Sequence, residues 1–529
     1  MPSSKTTTLC ILTLFRGRKS SRFNCCRRFH ESPRILSPAT DFRSFIDILR
    51  EDGDLVDIHH EVDPHLEVGA IARRVSERNS KVPLFHNVRG ARQGLWKMTS
   101  NLQSLRQSPE HRCGRIALGL GLPANAQWKE INDKVRRANY TKPPTSKILE
   151  TGACKENKLF GDDIDLTELP APLLHQNDGG KYVQTYGMHI LQSPDGSWTN
   201  WSISRAMVND KRKLVGLCIP PQHNWQIREM WKKEGKDVPW ALALGVPPAA
   251  IIAAALPIPD RVSELDYVNA LTGVPMNLVK CETNNLLVPA TSEIIFEGTL
   301  STTETAPEGP FGEYLAHSFK QESRQCPVYN VNAITYRNGA ILPVSVPGKL
   351  TDESHVTAGM IAPGILDICL ENKLPIVDAF SPLETYATWV VLKVDSERLK
   401  AEQTTSRDLC EKIGNAVFRD KRSFLTSRLV LVGGDIDIYD FKEVMWAFAC
   451  RCRPGKDEYI FDDVPGLPLV PFMSNTPRPC RGGKTVSDCL LDAEYTQAGR
   501  NWEKADFEHE YPKDTQRKVL AQWENMGLD

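Results

Sequence analysis

Between residues 308 and 313 the chain reads Glu308-Gly309-Pro310-Phe311-Gly312-Glu313. Proline lacks a backbone donor and glycine loosens the chain, so this stretch predicts a turn rather than helix. A turn with an acid at each end can hold two carboxyl groups near one reacting atom. Such a pair splits its pKa values, one group staying protonated while the other ionises, which is the arrangement general acid–base chemistry needs. Two glutamates on a solvated surface turn would read the same way, so the company of the hexapeptide matters. Upstream lies Asn200-Trp201-Ser202-Ile203-Ser204-Arg205, whose guanidinium fork can hold both oxygens of a carboxylate. Asn200, His223 and Glu264 offer an amide oxygen, an imidazole and a carboxylate, a set that suits Mn²⁺ or Mg²⁺ better than zinc. Spacing alone does not separate these three from satisfied loop residues.

Further blocks follow in order: Pro221-Gln222-His223, Ser263-Glu264-Leu265-Asp266-Tyr267, Ala270-Leu271-Thr272-Gly273, Thr351-Asp352-Glu353-Ser354-His355 and Arg451-Cys452-Arg453-Pro454-Gly455. Together with the two stretches above they resemble the UbiD family of decarboxylases, the fungal ferulic acid (phenylacrylic acid) branch most of all, from about Asp41 to the C-terminus. The resemblance implies a non-oxidative decarboxylase of aromatic or α,β-unsaturated acids that uses prenylated FMN. Such a cofactor carries the carbon chemistry while the protein places it. The resemblance further implies that Asn200, His223 and Glu264 hold Mn²⁺ or Mg²⁺ against the cofactor phosphate, with K⁺ nearby. Residues 200–205, Gln222, His223, Glu264 and Lys421 are then the cofactor contacts. Arg205 becomes the partner of the substrate carboxylate, Glu308 the proton donor, and Glu313 the group that orients and shares its proton. A flavin prenyltransferase is the implied supplier of the cofactor, and the expected assembly is a homodimer.

Three positions depart from the fungal pattern. Tyr314 stands where methionine is common, Ala358 where a bulky aliphatic is usual, and Leu467 where phenylalanine is usual. These changes predict a reshaped substrate pocket and leave the preferred acid open. A polyprenyl-hydroxybenzoate decarboxylase of quinone biosynthesis is a second reading. A non-catalytic flavin- or metal-binding assembly protein is a third, against which the joint presence of Arg205, Glu308 and Glu313 speaks.

Composition narrows the field. Sixty-five basic residues nearly cancel 66 acidic ones, so no general polyanion-binding surface is implied, and nucleic acid is not an expected partner. Fourteen cysteines occur without a CxxC, which argues against a zinc knuckle and suits reduced thiols inside a cell. Gly482-Gly483-Lys484-Thr485 resembles the end of a phosphate loop, but the required first glycine falls at Arg478. The uncharged run Trp240–Pro259 has the length of a membrane span, yet Pro247, Pro248, Pro257 and Pro259 interrupt it. A strand, a turn and a short buried helix near Ala249–Leu256 fit better.

The fold class expected is α/β (α+β). Residues 1–40, rich in Arg and Ser with Glu31 as the sole acid, read as a mitochondrial transit peptide, with a disordered basic tail of a cytoplasmic protein as the alternative. Residues 41–158 read as an α/β unit, in which Asp63 caps a helix opened by Pro64. Residues 159–350 hold short apolar runs between Gly, Pro, Asn and Asp. Tyr182–Gln192, Trp201–Asn209, Leu214–Ile219, Asn277–Lys280, Glu293–Glu297 and Tyr329–Tyr336 are the strands expected there. A largely antiparallel sheet follows from them, and the resemblance implies a split β-barrel. Asp352–Leu374 reads as a long helix that Pro363-Gly364 should bend or interrupt. The resemblance implies that 351–375 is a helical connector to an α/β oligomerisation domain over 376–529, and a final helix is expected over Asp514–Met526.

Overall fold

The computed structural model of the chain describes residues 37–92, 94–220, 222–318, 323–349, 351–474, 481–496, 500 and 502–528. The basic leader lies almost wholly outside them. From Leu36 onward the chain forms one compact unit, mixed α/β as expected.

Its centre is a nine-stranded antiparallel sheet. Eight strands run in the order Tyr182–Gln184, Ala206–Val208, Lys213–Gly216, Arg324–Tyr336, Ile294–Glu308, Val238–Leu244, Gly187–Gln192 and Thr199–Ser202. The ninth, Asn157–Phe160, pairs with Arg324–Tyr336. Two of the strands expected from sequence are each divided. The run 182–192 breaks at Thr185-Tyr186, and the run 201–209 breaks at Ile203–Arg205. In both cases the first half and the second half belong to opposite ends of the strand order. Covalent continuity therefore brings the two ends of the sheet together, and the sheet curls around a gap. Short apolar runs predict the strands but not the breaks, because nothing in alternation says which partner a residue will leave.

The two longest strands carry the apolar load. Phe296, Leu300, Tyr329, Val331 and Ile334 are fully buried together with Trp240 and Leu242 of the neighbouring strand. Gly298 allows the closest approach: a Cβ there would lie 1.8 Å from the Asn330 carbonyl oxygen. Beside this sheet sits a four-stranded one in the order Leu55–Val62, Val82–Val88, Lys97–Ser100 and Ile341–Val344. A five-stranded mixed sheet orders Ile376–Phe380, Trp389–Val394, Arg428–Val432, Arg481–Asp488 and Glu458–Pro465.

Two local expectations are corrected, and a third, an interruption at Pro363-Gly364, is met by two separate helices. The helix expected from Asp63-Pro64 starts instead at Glu67, after Leu66 at φ 71°. Leu66 donates its N–H to Leu173 O (2.9 Å), so the backbone is engaged in a bridge before helix can begin. Asp63 accepts from the His65 amide and closes a turn. The connector is two helices, Glu353–Gly359 and Ala362–Glu371. Pro363 cannot donate to Gly359 O, so the helix restarts with proline in its first turn. At the C-terminus the helix spans Lys513–Leu520, and Leu520 and Trp523 are exposed rather than buried. The apolar run 240–259 becomes the end of strand Val238–Leu244 and the buried helix Pro248–Ala255. Among the described residues no helix is long and apolar enough to cross a membrane.

Candidate active site

The acidic turn begins where the strand Ile294–Glu308 ends. Gly309 has φ 87°, which no ordinary side chain adopts, and its bond to Pro310 is cis. A loop that sequence analysis did not single out, His175–Gly180, holds this turn. Gly179 N–H donates to Pro310 O (2.8 Å) and Gly312 N–H to Asp178 Oδ1 (3.1 Å). The His175 ring contacts Asp178 through Nδ1 and Pro347 O through Nε2, and meets Phe311 edge-on. Asp178-Gly179-Gly180 carries a turn signal in sequence, but a turn that grips another turn looks like any surface loop.

Arg205 lies at the second break of the curled sheet and reaches both acids. Its Nε and Nη2 donate to Glu308 Oε1 (2.7 Å) and Oε2 (3.0 Å), and its Nη1 to Glu313 Oε1 (2.5 Å). The Phe311 ring lies under the guanidinium at 4.8 Å. Tyr182 donates a further bond to Glu308 Oε1 (2.8 Å). Burial together with Glu308 raises the Tyr182 pKa, which keeps it a neutral donor.

The two carboxylates are thus unequal. Glu308 takes three hydrogen bonds and faces away from open space, whereas Glu313 takes one from Arg205 and lines a cavity. Burial lifts the Glu313 carboxyl above the ordinary carboxylate range, with Glu308's charge adding to that and Arg205 opposing it.

The cavity measures about 370 Å³. Both sheet breaks open onto it: Thr185 and Tyr186 from one, Ile203, Ser204 and Arg205 from the other. Asn200, Trp201, Ser202, Gln222, His223, Glu264 and Lys421 line it as well. Asn200 Nδ2 donates to Glu264 Oε1 (2.8 Å) and lies 3.2 Å from His223 Nδ1, which is 3.6 Å from Glu264 Oε1. Glu264 opens the helix Glu264–Thr272, where the helix dipole favours its charge, and its Oε2 accepts from Trp201 N–H (3.1 Å). Asn200 Oδ1, Ser202 Oγ and Gln222 Oε1 are buried without a partner. Leaving such atoms unmet costs about 1–3 kcal/mol each, so this end is built for a polar ligand. Among the described residues no three His, Cys, Asp or Glu side chains form a metal cluster.

Tyr314, Ala358 and Leu467 form the apolar side of the same cavity. The Tyr314 carbonyl is bonded to the His355 ring, which fixes this wall to the helix Glu353–Gly359. Glu353, outside the expected site set, also lines the space; burial and neighbouring Asp352 raise its carboxyl to about 7. All the candidate site residues except Glu308 therefore share one cavity, and Glu308 stands directly behind Arg205.

Family models match three consecutive stretches. They are the N-terminal domain (46–135), the Rift-related domain (147–350) and the C-terminal domain (355–489) of 3-octaprenyl-4-hydroxybenzoate carboxy-lyase. The chain belongs to the UbiD family. It is 46% identical over 501 residues to ferulic acid decarboxylase 1 of Saccharomyces cerevisiae, covering 93% of this chain and 99% of that protein. It is 41% identical over 492 residues to pyrrole-2-carboxylic acid decarboxylase of Pseudomonas aeruginosa, again covering 93% and 99%. Among solved structures, vanillic acid decarboxylase of Sedimentibacter hydroxybenzoicus in its closed form shares the fold with a TM-score of 0.78 at 22% identity, over 93% of this chain and 99% of that one. An evolved dimeric HmfF of Pelotomaculum thermopropionicum, in complex with prFMN, gives 0.72 at 24% identity over 88% and 97%.

The grip of one turn on the other is testable. A Cβ at Gly179 would lie 2.0 Å from the Gly309 carbonyl oxygen. Gly179→Ala should displace the acidic turn and cut decarboxylase turnover about 10²-fold, the cost of a misplacement near 1 Å, while far-UV circular dichroism stays as in wild type. Unchanged turnover would show that the loop does not set the turn.

Proposed function

We propose that this protein is a prenylated-FMN-dependent, non-oxidative decarboxylase of aromatic or α,β-unsaturated acids of the cinnamic and ferulic type, releasing CO₂ and the alkene. The observation that carries the reading is one cavity lined both by the polar group Asn200, His223, Glu264 and Lys421 and by the acid-clamped guanidinium of Arg205. Family membership and the 46% identical ferulic acid decarboxylase support it.

The residues fit the cofactor. Unpartnered Asn200 Oδ1, Ser202 Oγ and Gln222 Oε1, with Lys421 beside them, suit a phosphate and a divalent ion. Asn200, His223 and Glu264 would hold Mn²⁺ or Mg²⁺ there, and Lys421 would meet the phosphate; K⁺ nearby remains a family expectation. When bound, prenylated FMN would supply the electron sink for the carbon left by CO₂. Arg205 has five N–H donors and spends three on the two glutamates. The two that remain can hold the substrate carboxylate. The Glu308 clamp and the Phe311 face keep the guanidinium rigid.

We propose further that Glu313 delivers the proton and Glu308 serves as the clamp, the reverse of the roles expected from sequence. The support is geometric: Glu313 reaches the cavity with its pKa raised, and Glu308 is fully engaged behind Arg205. A homodimer supplied by a flavin prenyltransferase completes the reading; the exposed Trp502, Leu520 and Trp523 suit a partner surface. The polyprenyl-hydroxybenzoate reading gains no specific support from the cavity.

Co-expression with a flavin prenyltransferase tests the function: absorbance and mass should report bound prenylated FMN, with CO₂ released from cinnamic-type acids. Protein that takes up no flavin would end the assignment.

The glutamates separate cleanly. Glu313→Gln should retain cofactor and lower turnover about 10²–10⁴-fold, the usual loss for a positioned acid. Glu308→Gln should chiefly raise KM by loosening Arg205. Because the Glu313 pKa is raised, its protonated form persists above the ordinary carboxylate range, and wild-type turnover should fall only as pH rises through that higher value. Full activity of Glu313→Gln would return the donor role to Glu308.

For the pocket, Ala358→Ile with Leu467→Phe should shift preference towards unsubstituted cinnamic acid by roughly 1–3 kcal/mol in relative kcat/KM. An unchanged ranking over a substrate panel would remove these side chains from the substrate wall.

A further inference from the structure

Asp260 has no role in any reading so far. It sits on the loop between the helices Pro248–Ala255 and Glu264–Thr272, four residues before Glu264, with its side chain about half exposed. Its Oδ1 lies 2.9 Å from His223 Nε2. The same oxygen accepts from Lys421 Nζ, which also lies against His223 Nε2. On the other side of the ring, Nδ1 faces Asn200 at 3.2 Å and Glu264 at 3.6 Å. Trp198 packs edge-on to the imidazole at 4.7 Å and fixes its plane.

These contacts decide which ring nitrogen carries the proton. A neutral imidazole has one donor and one acceptor, and only the acceptor can bind a metal ion. An ionised carboxylate can only accept, so Asp260 requires the proton on Nε2 and leaves the Nδ1 lone pair facing Asn200 and Glu264. An ammonium can only donate. Without Asp260, Lys421 would donate to Nε2 and drive the proton to Nδ1, which blocks the face turned to the cation. Asp260 takes a hydrogen bond from both and resolves the conflict.

We propose that Asp260 is a positioning residue: its carboxylate accepts from Nε2 and so selects the His223 tautomer that presents Nδ1 to the divalent ion, against the competing contact of Lys421 with the same nitrogen. This rests on the reading of Asn200, His223 and Glu264 as the cation set. Outer carboxylates that accept from a ligating histidine commonly contribute 10–100-fold to metal affinity.

The test uses full-length protein expressed without a flavin prenyltransferase. Mn²⁺ affinity is read by electron paramagnetic resonance of the free ion for wild type, Asp260→Ala and Asp260→Glu, with thermal midpoints as a folding control. His223 protonation is read by ¹⁵N NMR of histidine-labelled protein, assigned by loss of its signals in His223→Gln. Asp260→Ala should bind Mn²⁺ about 10–100-fold more weakly and move the His223 proton from Nε2 to Nδ1. Asp260→Glu should recover most of the affinity. Wild type that binds no Mn²⁺ would overturn the cation reading and this assignment with it. Wild type that binds, with Asp260→Ala binding equally well, would overturn the role of Asp260 alone. Weaker binding with the proton still on Nε2 would equally reject the tautomer mechanism.

Discussion

A guanidinium taken out of water must be paired, and the pairing of Arg205 with Glu308 and Glu313 shapes everything around it. Removing one partner of a buried ion pair typically costs about 3–5 kcal/mol, because the other charge is left unmet. The strand Ile294–Glu308 must therefore end where Glu308 meets the fork, and the sheet must break at residues 203–205 to let Arg205 turn inward. Tyr182, from the other divided strand, completes the clamp. The gap in the curled sheet, the acidic turn and the cavity are consequences of one set of charges being satisfied in one place.

The clamp also explains how two chemically identical side chains come to differ. Glu308 has its oxygens engaged by hydrogen bonds from Arg205 and Tyr182. Glu313 has one such bond and is otherwise buried, which favours its neutral form. Elsewhere in the cavity lining the logic is reversed: the oxygens of Asn200, Ser202 and Gln222 are buried without a partner. Apolar residues from three segments, Ile203, Ala358 and Leu467 among them, line the same space.

Much of this was legible in sequence because the chemistry is local. The stretches 200–205 and 308–313 each place several site residues within one strand end or turn, and the family resemblance rests on such blocks. Side-chain direction was not legible. Glu313 lines the cavity and Glu308 does not, and sequence spacing carries no record of that difference. The strand breaks at 185–186 and 203–205 are hidden for a related reason, since neither Thr185-Tyr186 nor Ile203-Ser204-Arg205 contains the glycine or proline that would mark a stop. Asp63 was misread because the bridge from His65 to Leu173 competes with helix initiation, a contact over a hundred residues away. His175, Asp178 and Asp260 are single polar residues on loops, and only their tertiary partners give them meaning.

The unequal glutamates are most directly tested by infrared difference spectroscopy across a pH titration of the cofactor-free protein. A protonated carboxyl gives a carbonyl stretch apart from that of carboxylates. Wild type should show such a band persisting above the pH at which ordinary glutamates ionise. Glu353, whose carboxyl is also raised, contributes to this band in every variant, so its intensity should fall in Glu313→Gln and hold in Glu308→Gln. Intensity lost in Glu308→Gln and kept in Glu313→Gln would contradict the assignment of clamp and acid.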